Sequence, residues 1–204
     1  MSLSDKISQF HMDFASSVQH VTEEIIFHIL NHLYKRTGLK DLCLAGGVGQ
    51  NSVANGKILL NTPFERIYIP SAAHDAGTSI GSAYYLYNHI LGNKRIPEIQ
   101  HAYFGSQSTS EEIISCLKEY SLNYINAQDD ELFEIVVDKL TNGGVVGWFQ
   151  GRAEFGPRAL GHRSILADPR CKDAKNLINK KIKMREDFRP FAPSILEEDL
   201  SDWF

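Results

Sequence analysis

A chain of 204 residues, 43% hydrophobic and 23% charged, is long enough for one large or two small domains with a real core and too short for a multidomain machine. No apolar run approaches the about 18 residues a membrane helix needs, and MSLSDKISQF lacks the charged and apolar regions of a secretory signal. Cys43, Cys116 and Cys171 are odd in number and far apart, which fits reduced thiols in a cytoplasm and argues against a disulfide framework or a cysteine zinc site. The net charge of -4 conceals a division: residues 152–189 hold eleven Lys and Arg against five acids, a balance of +6, so the remainder carries -10. The asymmetry points to an anionic ligand at that one stretch, phosphate foremost, and the acidic remainder argues against broad nucleic-acid contact.

Apolar residues at helical spacing from Val21 to Leu33 predict a helix ending near Gly38. Asp41 to Ala45 reads as a short strand running into Gly46-Gly47, and Asn51 to Leu60 returns to helical spacing. Arg66 to Pro70 is a second strand, followed by a helix rich in small residues from Gly77 to Ile90. The alternation predicts parallel pairing with crossover helices. Leu91 to Gln100 carries Gly, Pro and charge without periodicity and reads as a linker. Beyond it, helices are expected at Ser110 to Glu119 and Asp129 to Leu140, flanking a strand at Leu122 to Ile125. A turn at Asn142-Gly143 then leads into a buried strand from Gly144 to Phe149. Both halves read as α/β.

Three blocks carry chemistry. In LCLAGGVGQN, residues 42–51, paired glycines let the backbone approach a ligand and the following helix start offers free N–H groups, although such a turn serves equally as a connector. In PSAAHDAGTSIG, residues 70–81, His74 and Asp75 are acid-base or hard-metal candidates; the competing reading is a turn capped by Asp75. His28 and His32 lie four apart on the first helix, but they flank an apolar stripe with no acidic third ligand, and read as structural. The third block runs from Gly147 to Ser194. Arg152, Arg158, Arg163 and Arg170 are interleaved with glycines and prolines, so a stiff, non-helical loop presents them, and Lys183, Arg185 and Arg189 follow. Guanidinium forks bind phosphate oxygens in pairs, and several around one cavity neutralise a triphosphate or an acyl phosphate. Phe188 and Phe191 read equally as base-stacking rings or as core.

LAGGVGQNSVANGKI, PSAAHDAGTSIG, GRAEFGPRALGHRSILADPR and REDFRPFAPSIL together resemble the bacterial O-carbamoyltransferases of the nodulation and antibiotic-tailoring group, from about residue 10 to the end. The resemblance implies the C-terminal part of an actin/hexokinase-type, TsaD-like domain over residues 1–95 and the N-terminal part of a YrdC-like α/β domain over residues 101–204. It implies an ATP-dependent enzyme that turns carbamoyl phosphate into carbamoyl-adenylate and passes the carbamoyl group to a hydroxyl of a small-molecule acceptor. By motif match, Arg158, Lys183 and Arg189 would hold the phosphates as the catalytic cations, with Arg163, Ser164 and Arg185 as neighbours. Gly46, Gly47 and Asn51 would hold the adenylate, and Asp75 would ligate a divalent metal, Fe2+ or Mg2+. A homodimer is compatible with this reading, and no membrane is involved. Alternatives are a tRNA threonylcarbamoylation-type factor and a nucleotide- or RNA-binding module without catalysis.

The departures are as informative. The family's early HxxxH metal motif has no counterpart, since His28-His32 shares the spacing in the wrong context, and the family's YrdC-like domain continues past a point like Phe204. The expectation is therefore the back of one domain and the front of the next, opened by a cloning remnant, Met1-Ser2-Leu3, and inactive in isolation.

Overall fold

The computed structural model describes residues 7–203; Met1-Ser2-Leu3 and Phe204 lie outside them. Contacts group the chain into two units, one running to Ala102 and including Phe155–Arg158, the other comprising Tyr103–Glu154 and the chain from Ala159 onward.

The first unit opens with α1, Gln9–Thr37. Its start is fixed locally, because the Ser8 amide donates to Nδ1 of His11 at 3.0 Å. It stops at Gly38, whose φ of 66° suits glycine and whose N–H returns to the Tyr34 carbonyl at 2.8 Å, with Lys35 and Arg36 facing the negative helix end. One face of α1 supplies Leu30, Ile26, Phe27 and Tyr34 to a core completed by Leu42, Ile58 and Phe64. The rings of Tyr34 and Phe64 meet edge to face at 5.8 Å. A second apolar row on α1, Phe10, Phe14, Val18, Val21, Ile25 and Ile29, is exposed.

Strands β1, Asp41–Cys43, and β2, Arg66–Tyr68, pair in parallel with Leu42 opposite Ile67, as the alternation predicts. The crossover is a 3-10 turn, Gly47–Gln50, then α2, Ser52–Asn55, and α3, Ile58–Asn61. The sequence predicts one helix here; Gly56 and Lys57 divide it into two single turns, and Ile58 at the start of the second is fully buried. A forked bond from Arg66 to Asp41, at 2.6 and 2.8 Å, closes the strand pair at its exposed edge. The last helix of the unit is α4, Gly77–Tyr84, which widens into a π-helix over Tyr85–Ile90. Residues 92–100 have no regular structure.

The second unit contains α5, Ser110–Glu119, and α6, Asp129–Thr141. Thr109 and Glu112 form a reciprocal capping box on α5, and Asp129, Asp130 and Glu131 complement the positive start of α6. The expected strand at Leu122 to Ile125 does not form: the segment has no ladder partner among the described residues, and Ile125 is 72% exposed. Gly143, at φ 77°, turns the chain into β3, Val145–Phe149, which is half-exposed where a buried strand was expected. Its partner is β4, Arg163–Ala167, inside the stretch read from sequence as a loop, and the two pair antiparallel with Phe149 opposite Arg163. This unit is therefore α+β, within the α/β (α+β) class expected of the chain, its strand pair being antiparallel. It ends with α7, Ala174–Leu177, a π-helix over Ile178–Ile182, a 3-10 turn over Glu197–Asp199 and α8, Leu200–Trp203. No helix among the described residues is long and apolar enough to cross a membrane.

Candidate functional site

In the first unit the glycine block and the histidine-aspartate block are tied together by backbone. Gly46, at φ 103°, donates its N–H to the Ala73 carbonyl at 2.6 Å. Gln50 reaches the same segment, its Nε2 lying 3.5 Å from the Ser71 carbonyl and 3.3 Å from Nδ1 of His74. Gly49 is buried between Leu44 and Ala73. Gly46 and Gly47 instead face open space, since a Cβ on either would meet nothing within 4 Å. The pair thus leaves backbone accessible where a ligand would approach.

A third block joins them. By its contacts, Phe155–Arg158 groups with the first unit. The Phe155 amide donates to Ala102 at 2.6 Å, and the Ser71 hydroxyl donates to the Phe155 carbonyl at 3.0 Å. Gly156, at φ 148°, passes so close to Ser71 that an added Cβ would lie 2.6 Å from its carbonyl oxygen. One unit therefore gathers the glycine loop, the segment before Asp75 and the short arm carrying Arg158.

Asn51 is spoken for by the fold. Its Oδ1 accepts from the Ala54 amide at 3.1 Å, capping α2, and its Nδ2 donates to Oε1 of Gln19 at 2.9 Å. Gln19 passes the chain of bonds to Glu23 at 2.8 Å, and Lys57 donates to the other Glu23 oxygen at 2.7 Å. Glu23 is buried, and its bonds from Lys57 and then Gln19 hold its pKa below the ordinary carboxylate value. This network pins the glycine loop to α1, and nothing in the motif reading foretold it.

Asp75 is exposed and does not cap α4, whose N-cap is Ala76; among the described residues its carboxylate has no hydrogen-bond partner. The capped-turn reading therefore fails, and the carboxylate is available. No three His, Cys, Asp or Glu side chains among the described residues lie together as a metal site, and His28 and His32 are both exposed. Asp75 alone does not make a metal centre.

In the second unit, residues 150–154 and 159–164 are bonded to one another. Glu154 Oε1 accepts from the backbone amides of Leu160, His162 and Arg163 at 2.5, 2.9 and 3.4 Å. Partial burial pushes this carboxyl's pKa up, but the amides of Leu160 and His162 outweigh it and bring the value down to about 2. Arg163 turns inward: Nη1 donates to the Gln150 and His162 carbonyls, Nη2 to Gly151, and the guanidinium lies 3.5 Å above the Phe149 ring. The Ser164 hydroxyl accepts from the Gly161 amide at 3.0 Å. Tyr103 stacks on His162 at 3.6 Å, and its hydroxyl donates to the Leu160 carbonyl at 2.9 Å.

The second cationic run is organised by Asn179, which is fully buried. Its Nδ2 donates to the Arg189 carbonyl at 3.0 Å, and its Oδ1 accepts Nε of Arg185 at 2.7 Å. Arg185 also lies over Phe191 at 4.9 Å. Met184, between Lys183 and Arg185, adopts φ 47°, a left-handed bend rare for a non-glycine residue. Arg189 pairs with Glu186 at 2.8 Å and Arg170 with Asp168 at 2.7 Å, while Arg158 and Lys183 have no carboxylate partner among the described residues. Arg158 falls with the first unit; Lys183 and Arg189 fall with the second.

Two family profiles match the chain, one over each end. The profile of the carbamoyltransferase N-terminus matches residues 2–84, and that of the carbamoyltransferase C-terminus matches residues 137–204. An uncharacterized protein of Synechocystis is 47% identical over 97% of this chain and 33% of its own length. Nodulation protein NolO of Bradyrhizobium diazoefficiens is 43% identical, over 97% of this chain and 36% of its own, and nodulation protein NolNO of Sinorhizobium fredii is 41% identical, over 97% and 29%. The chain spans about a third of the length of these curated relatives. With both profiles matched, the chain belongs to the carbamoyltransferase family.

Proposed function

We propose that this chain supplies part of the site of an ATP-dependent O-carbamoyltransferase, with a TsaD-like first portion and a YrdC-like second portion. The observation that carries the reading is that Arg158 in the first unit and Lys183 in the second have no carboxylate partner among the described residues, whereas Arg163 is bonded to carbonyls and Arg170 and Arg189 to acids, in a chain matched by both carbamoyltransferase profiles. An unpaired cation held by a stiff loop is a phosphate ligand in waiting. In the proposed sequence, water cleaves carbamoyl phosphate to carbamate and phosphate. A carbamate oxygen then attacks the α-phosphorus of ATP, expelling pyrophosphate. A hydroxyl of the small-molecule acceptor finally attacks the carbamoyl carbon of the adenylate, and AMP leaves.

In this scheme Arg158 and Lys183 neutralise the phosphates and Arg189 adds charge shared with Glu186. The inward Arg163 and the bonded Ser164 and Arg185 shape the loops rather than reach out. Gly46 and Gly47 leave room for the nucleotide backbone, while Asn51 holds the loop that carries them. Asp75 is the available carboxylate for a divalent ion completed by other ligands. The site of the reaction is cytoplasmic in this reading. The test is pyrophosphate release from ATP dependent on carbamoyl phosphate, in a protein that carries this sequence at its relatives' length. Release that is indifferent to carbamoyl phosphate refutes the reading. The isolated chain is expected to bind ATP without turnover.

A further inference from the structure

Among the acids of the cationic stretch, Glu154 differs in what it contacts. Asp168, Glu186 and Asp187 each pair with a single cation, Arg170, Arg189 and Lys180 respectively. Glu154 instead has no cation partner among the described residues, and spends one oxygen on three backbone amides, those of Leu160, His162 and Arg163. Amides converging on one oxygen are the arrangement proteins use to bind an anion, and here the anion is supplied from within the chain. The consequences are local and numerous. The bonded amides flank Gly161, whose φ of 104° sets the bend and whose N–H goes to Ser164. They hold Arg163 where its guanidinium closes on the Gln150 and Gly151 carbonyls, and they hold His162 under Tyr103, with Nδ1 donating to the Arg152 carbonyl at 2.7 Å.

We infer that Glu154 is a positioning residue: its carboxylate acts as a built-in anion that locks the 160–164 segment and thereby sets the conformation of the arginine loop for phosphate. The inference rests on the phosphate-site reading above but makes a separate claim, that an acid inside a cationic loop raises affinity for an anion. Electrostatics alone gives the opposite sign, because removing a negative charge from a cationic loop should strengthen anion binding. If positioning dominates, removal weakens it.

The experiment measures ATP affinity of the 204-residue chain by titration calorimetry for the wild type, Glu154→Ala and Glu154→Gln, alongside amide hydrogen exchange and far-UV circular dichroism. Glu154→Ala is expected to keep the helical signal, to lose protection at the amides of Leu160, His162 and Arg163, and to bind ATP about tenfold more weakly. Glu154→Gln, which retains an acceptor oxygen, is expected to recover part of both. Unchanged or tighter ATP binding in both variants overturns the inference, as does rapid exchange of those amides in the wild type. If the wild type itself binds no ATP, the phosphate-site reading fails and the inference about affinity falls with it. Protection lost only in the variants then reports a purely structural lock. Should Glu154→Ala not fold, the ATP affinity and amide protection of Glu154→Gln decide alone.

Discussion

Replacing Gly156 by alanine separates backbone strain from collision when read against two other glycines of the motif blocks. An alanine at position 156 meets both costs, a φ of 148° and a Cβ 2.6 Å from the Ser71 carbonyl oxygen and 3.1 Å from its carbon, neither of which is a flexible group able to swing aside. Gly161 carries only the first, with φ 104° and nothing within 4 Å of the Cβ position, and Gly47 carries neither. The left-handed region costs a side-chain-bearing residue about 1–2 kcal/mol, and forcing atoms into packed backbone adds about 1–3 kcal/mol. The expected losses are therefore about 2–5 kcal/mol for Gly156→Ala, about 1–2 kcal/mol for Gly161→Ala and less than about 0.5 kcal/mol for Gly47→Ala. Urea unfolding of the three variants, compared by midpoint at a common slope, gives the values. If Gly156→Ala costs no more than Gly161→Ala, the arm carrying Arg158 is not packed against Ser71, and the convergence of the three blocks in one unit is wrong.

Two further outcomes follow from the same geometry. Ile58 is fully buried against Leu30, Leu42 and Phe64, so Ile58→Ala should lower unfolding free energy by about 2–5 kcal/mol in the same urea assay, while Leu60→Ala, at an 84% exposed position, should change it little. Glu154 has a folded pKa of about 2 against an ordinary 4.5, so its stabilisation is complete above about pH 5 and is lost as pH falls toward about 2. Discounted for partial exposure this is about 1–2 kcal/mol, and the stability gap between wild type and Glu154→Gln should close over that window in acid titrations followed by circular dichroism.

The elements most legible in the sequence were those with a local signal. Ser110–Glu119 carries its own capping box, and α1 ends at Gly38 because the chain needs a left-handed residue there. The parallel pair β1 and β2 followed from strand and helix alternation. What was not legible depended on distant partners. Arg163–Ala167 reads as loop because its strand character comes from pairing with Val145–Phe149, and Leu122 to Ile125 reads as strand although no neighbour pairs with it. In the site, the cations were visible as a charge cluster, but which of them are free was not. Arg163 spends itself on carbonyls and a ring, whereas Arg158 and Lys183 do not. Glu154 and Asn179 stand in the sequence as an acid and an amide in basic surroundings, with no motif to mark their roles. That very mismatch was the available signal, since a polar group amid cations needs several partners to be worth holding.

The most direct test of the central claim is calorimetric titration of the chain with ATP and with carbamoyl phosphate, repeated for Arg158→Ala and Lys183→Ala. Saturable binding by the wild type, weakened about tenfold or more by either substitution with the circular dichroism spectrum unchanged, is the predicted result. Wild-type affinity in both variants, or no binding of either ligand by the wild type, contradicts it.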